Sequence, residues 1–82
     1  MPDAKLLAAL KSQLEKDGTS VSDLHVWRLG PGHLGAIISV SPPGVDSAVM
    51  LVMNEEYYRR RIRGFKALSH VTIEVQRPFL LL

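Results

Sequence analysis

Leu6, Leu10 and Leu14 recur every four positions, with Leu7 beside them, and this draws one apolar stripe along a helix. Lys5, Lys11 and Glu15 fall outside the stripe. Asp3 is placed to cap the start and Gly18 to end it, so the pattern predicts a helix from 3 to about 16. The period then changes. Residues 21–29 and 33–40 have strand composition, and Gly30-Pro31-Gly32 between them reads as a turn of about three residues. Pro42-Pro43-Gly44 ends the second run, because neither proline can donate to a ladder. The stretch 45–53, VDSAVMLVM, shows no clear period and is expected to be a loop or an early start of the next helix, with Asp46 or Ser47 as cap. Asn54 is the next cap: Glu55 and Glu56 follow at the positive end of the dipole and arginines come later. Tyr58, Ile62 and Phe65 form that helix's buried stripe, and Gly64 limits it to about Lys66. Residues 69–75 alternate as a third strand closed by Pro78, leaving an apolar tail at 79–82.

The predicted order is α-β-β-α-β. A strand–helix–strand crossover returns parallel, so neighbouring second and third strands give a three-stranded mixed sheet with both helices on one face. The fold class is α+β, a truncated ferredoxin-like arrangement that lacks its first strand.

Strand pairing then sorts side chains onto faces. A three-residue turn opposes Leu29 to His33, Trp27 to Gly35, His25 to Ile37 and Asp23 to Ser39, and opposed residues share a face. Leu24, Val26, Leu34, Ala36, Ile38 and Val40, with Val71, Ile73 and Val75, make the face that the helices seal. The other face carries Asp23, His25, Trp27, Leu29, His33, Gly35, Ile37 and Ser39, with His70, Thr72, Glu74 and Gln76. A polar open face is ordinary for a sheet covered on one side. This one holds all three histidines of the chain, its only tryptophan and two carboxylates, and no lysine or arginine. Imidazole with carboxylate suits Zn, Ni, Co or Cu better than Ca or Mg. Taken singly, each histidine reads as an ordinary strand residue; the cluster is what points to metal. Trp27, opposite a glycine, fits local packing and a subunit contact equally.

Composition narrows the class. The chain has 82 residues, one small domain, and its 46% apolar and 22% charged content is that of a globular protein. At this size the core is marginal, and self-association or attachment to a larger protein often supplies further burial. The absence of cysteine excludes a disulfide framework, a thiolate zinc site and a thiol nucleophile, and fits a reducing compartment. No apolar run approaches the ~20 residues that a membrane-spanning helix requires.

The stretch DLHVWRLGPGHLGAIISV at 23–40, followed by LSHVTIEV at 68–75, resembles the C-terminal cytosolic domain of cation diffusion facilitator transporters, above all the bacterial branch that exports divalent cobalt, nickel, zinc and cadmium. The likeness runs from the first helix to the third strand and is poor at 45–53 and in the tail. It implies a metallochaperone-like α-β-β-α-β domain that dimerises into a V and closes on metal to promote transport. It also implies a membrane domain elsewhere in the same chain, at the cytoplasmic face of the inner membrane. On this reading residues 1–78 are the regulatory domain and 79–82 a tail. The implied metal ligands are His33 and His70 first, then Asp23 and Glu74, then His25, with zinc as the first choice of ion and Co, Ni or Cd as the others; Trp27 belongs to the homodimer contact. The family often has histidine where this chain has Ser22, a ligand where it has Ile38, and a stronger ligand where it has Gln76.

Arg59-Arg60-Arg61-Ile62-Arg63 reads either as a solvated basic helix end or as a region drawn to an anionic leaflet. The alternative function is a small α/β nucleic-acid-binding module that uses this basic helix. Against it, the open face has one aromatic and two carboxylates and no basic residue, so no nucleic-acid partner is expected. No nucleophile–base pair stands at a convincing spacing, and an enzyme is not expected either.

Overall fold

Six elements follow one another in the computed structural model, which describes residues 4–44 and 47–76. They are α1 (Ala4–Leu14), β1 (Ser20–Gly30), β2 (His33–Ser41), α2 (Ser47–Val52), α3 (Glu55–Arg61) and β3 (Leu68–Val75). Asp3, Asp46, Pro78 and the tail 79–82 lie outside the described residues. The sheet order is β1-β2-β3, with β1 antiparallel and β3 parallel to the central β2. This is an α+β domain with a three-stranded mixed sheet, consistent with a ferredoxin-like topology.

The core sits between β2 and the helices. Leu10 and Leu14 of α1, with Tyr58 of α3 and Ile62 just after it, pack against Ala36, Ile38, Val40 and Ile73, all at most 7% exposed. Leu6, Leu24, Val26, Phe65, Val71 and Val75 complete it as half-buried residues. The helix stripes and the strand alternation therefore meet where the pattern placed them. Beneath this layer the Tyr58 hydroxyl and Thr19 Oγ1 share a buried hydrogen bond of 2.8 Å. Burial raises the Tyr58 pKa; the Thr19 bond opposes the shift and the nearby Asp17 charge adds to it.

Four details differ from the sequence expectation. First, α1 stops at Leu14, and a turn runs on to Gly18, whose φ of +85° only glycine adopts freely. Glu15 does not stay outside: its carboxylate turns back to accept the Val21 N–H at 3.0 Å. Second, the hairpin turn has two residues. Pro31 and Gly32 (φ +73°) have the residue types of a type II turn, and Gly30, instead of Leu29, opposes His33. Such a turn splays the strands against their natural twist, and a bulge that leaves Leu29 as an extra residue absorbs the mismatch.

Third, a bulge at Ser22 shifts parity in β1, so that Val21 as well as Leu24 and Val26 packs on the core. Fourth, 47–52 forms a helix of its own, and α3 ends at Arg61 instead of near Lys66. The Asn54 cap holds as expected: its side chain accepts the Tyr57 N–H at 3.0 Å. Beyond Ile62 the chain closes tight turns, Arg63 N–H to Arg60 O and Phe65 N–H to Ile62 O, which turn Phe65 inward toward the core ahead of β3.

Candidate functional site

The register of the three strands builds the open face in rungs. Trp27, Gly35 and His70 form one; His25, Ile37 and Thr72 the next; Asp23, Ser39 and Glu74 the third. His33 stands beyond the first rung, opposite Gly30 at the turn. Each sequence-predicted ligand therefore lies on this face, and all five are exposed.

Contacts between them are fewer. On β1 the imidazole of His25 meets the carboxylate of Asp23, Nε2 to Oδ1 at 2.9 Å. Two residues apart on one strand face, these groups touch because alternate side chains point the same way. Glu74, two strands away, is engaged by the central strand: Ser39 Oγ donates to Glu74 Oε1 at 3.1 Å. Among the described residues no group of three His, Asp or Glu is placed to hold one metal ion. A single chain thus presents one imidazole–carboxylate pair, with His33, His70 and Glu74 standing separately and β2 lying between the edge strands.

Trp27 has a definite environment. A Cβ added at Gly35 would lie 2.7 Å from both Cε2 and Cζ2 of the indole and 3.1 Å from Nε1. The ring therefore lies flat across the glycine backbone, in room that only glycine leaves. Its outer side stays open, with 36% of the residue exposed, and Ile37 (43%) and Leu29 (50%) extend the apolar surface on the same side of the sheet and at the bulge. Together these three side chains leave aromatic and aliphatic area open to solvent beside the exposed Asp23, His25 and His70.

Ser22 and Gln76 add a link across the sheet that pattern reading missed. Ser22 Oγ reaches Gln76 Oε1 at 3.0 Å and the Ser39 carbonyl at 3.3 Å, and Ser41 Oγ lies 3.5 Å from the same Gln76 oxygen. The signal in the sequence was slight: serines stand at 22, 39 and 41 opposite Glu74 and Gln76, but only the register unites them. Ile38, by contrast, is fully buried against the helices and takes no part in the open face.

No family model matches the chain, and no curated protein or solved structure matches it significantly.

Proposed function

We propose that this chain is a regulatory and dimerisation domain of a divalent-cation efflux transporter similar to the cation diffusion facilitators. Two copies associate through their open sheet faces around Trp27, and zinc, or another divalent transition ion, binds between them. The observation that carries the reading is the indole of Trp27 spread over Gly35 of the central strand, on an exposed face whose described residues include no lysine or arginine. The DLHVW and HVTIE stretches, whose alternate residues lie on this face, supply the likeness to the transporter domains.

The metal part of the proposal rests on one imidazole–carboxylate contact in the open face. Asp23 and His25 give one chain a two-ligand half-site, and tetrahedral zinc needs about four N or O donors at roughly 2.0–2.2 Å. A second chain's His33, His70 or Glu74 would complete the set. Binding of the ion and association of the chains are then linked, each strengthening the other.

Sedimentation velocity with and without Zn(II) tests this directly. Zinc is expected to tighten the dimer, Trp27→Ala to weaken it with or without metal, and His33→Ala with His70→Ala to remove the zinc effect alone. Calorimetric zinc titrations over a range of protein concentrations should give an affinity that falls on dilution. An affinity independent of protein concentration would exclude a shared site, and a chain that stays monomeric with and without zinc would end the proposal.

A further inference from the structure

The helix layer carries a second surface that the sheet-face reading does not use. The helix α2, Ser47–Val52, contains no charged residue, and its last two side chains point outward: Leu51 is 77% and Val52 65% exposed. These are the most exposed large apolar residues among the described ones. They stand next to the basic face of α3. One shallow hollow is lined by Leu51, Val52, Asn54, Glu56, Tyr57 and Arg60, so the apolar tip and the guanidinium are continuous.

The charges beside that tip are in excess. Arg60 and Arg63 share a single carboxylate, Glu56, at 3.3 and 3.9 Å, and their side chains remain 67% and 73% exposed. Arg59 is held by Glu55 and by the Val71 carbonyl, and Arg61 by Asp17. Lys66, shortly after Arg63 in the chain, has no ion-pair partner among the described residues. An uncharged apolar helix end flanked by arginines matches the interface of an anionic bilayer: the aliphatic side chains enter the headgroup–acyl boundary, and the guanidinium forks take the phosphates.

We infer that α2 and the adjoining face of α3 form a docking surface for an anionic lipid bilayer, with Leu51 and Val52 inserted and Arg60 and Arg63 on the lipid phosphates. The surface lies in the helix layer, away from the open sheet face, so it stands or falls separately from dimerisation through Trp27.

Co-sedimentation of the 82-residue chain with vesicles tests it, one set an equimolar mixture of phosphatidylglycerol and phosphatidylcholine, the other pure phosphatidylcholine. The chain is expected to pellet with the anionic vesicles, far less with the neutral ones, and progressively less as salt is raised. Leu51→Asp with Val52→Asp, and separately Arg60→Glu with Arg63→Glu, should each weaken binding about tenfold or more. All four residues are solvent-exposed, and circular dichroism checks that the fold is kept. Equal binding to both vesicle types overturns the inference. So does undiminished binding of the Leu51/Val52 variant, which would assign the contact to another part of the chain. A change in that variant's oligomeric state without lipid would instead make the patch a contact between copies and would equally overturn it.

Discussion

Ile37 and Ile38 are neighbours in the central strand, yet one is 43% exposed and the other fully buried. The difference between the two faces of this sheet is a difference in what selects their residues. Ile38 belongs to the same buried cluster as Leu10, Leu14 and Tyr58 and is chosen by volume and apolarity. Ile37 lies between His25 and Thr72 on a surface that no helix among the described residues covers, where stability asks little of it. A face under weak stability constraint that nevertheless carries Trp27, three histidines and no cation is free to be shaped by association or ligand binding. The two isoleucines should therefore respond unequally to truncation. Ile38→Ala should cost about 2–5 kcal/mol in urea unfolding, a large share of a small domain's total, whereas Ile37→Ala should stay within about 1 kcal/mol. The measurement belongs at a protein concentration low enough that association adds nothing to either value. Equal costs would mean that the open face is already covered within one chain.

Gly35 is the point where the open face is also packed. A methyl group there would collide with Trp27 Cε2 and Cζ2, so Gly35→Ala must push the indole off the sheet. The expected cost is about 1–3 kcal/mol, with a red shift of tryptophan emission as the ring moves into water. In a Trp27→Ala background the same substitution should cost little. This non-additivity separates loss of the indole platform from any intrinsic intolerance of the strand. If Gly35→Ala costs the same with and without Trp27, the stacking is not what requires glycine.

A smaller effect belongs to the buried hydroxyl pair on the core side. Tyr58→Phe leaves Thr19 without its 2.8 Å partner and should destabilise by about 1–2 kcal/mol. It also carries a pH signature. Burial raises the folded-state pKa of Tyr58, so the unfolded chain ionises first as pH rises through about 10. The unfolded state then binds fewer protons than the native state, and stability falls with rising pH. This contribution is complete below the unfolded value and is lost as pH climbs toward the folded one. The phenyl ring of the Tyr58→Phe variant cannot ionise, so its alkaline loss of stability should be shallower than that of the native chain.

These elements differ in how far the sequence announced them. The stripe Leu6, Leu10 and Leu14 and the Asn54 cap are local statements, written within one or two turns of chain, and both appear in the structure. The pairing of Trp27 with Gly35, His25 with Ile37 and Asp23 with Ser39 was legible because alternation over several residues fixes parity. It failed nearest the turn, where Pro31 selects the turn type and the strands respond with a bulge at Leu29. Neither step is encoded in hydrophobic pattern. The shortened α3 has a similar origin: Phe65 serves the core by leaving the helical path, a tertiary demand that a period of 3.6 cannot express. The five candidate ligand residues lie on the face to which alternation assigned them, but which of them touch depends on rotamers and on the width of β2 between the edge strands. Of the five, only Asp23 and His25 meet.

The smallest change in stability belongs to Ser22 and Gln76, and it tests what the open face could otherwise have been. Their hydrogen bond joins residues 54 positions apart across the whole sheet, yet it is exposed, and water can replace either partner. Ser22→His with Gln76→Glu should therefore shift metal-free stability by no more than about 0.5 kcal/mol. What it changes is chemistry. The two positions are already close enough for a 3.0 Å contact, and Asp23 follows Ser22 directly along β1. An imidazole and a carboxylate there, beside a second carboxylate, supply within one chain the donor set that the native chain lacks among its described residues. The double variant should then bind zinc at dilutions where the native chain is monomeric, with an affinity independent of protein concentration. If it binds no more zinc than the native chain under those conditions, the neutral link is not what separates this face from a one-chain metal site. The spacing of the strands would then be the cause, and only a partner chain could complete the coordination.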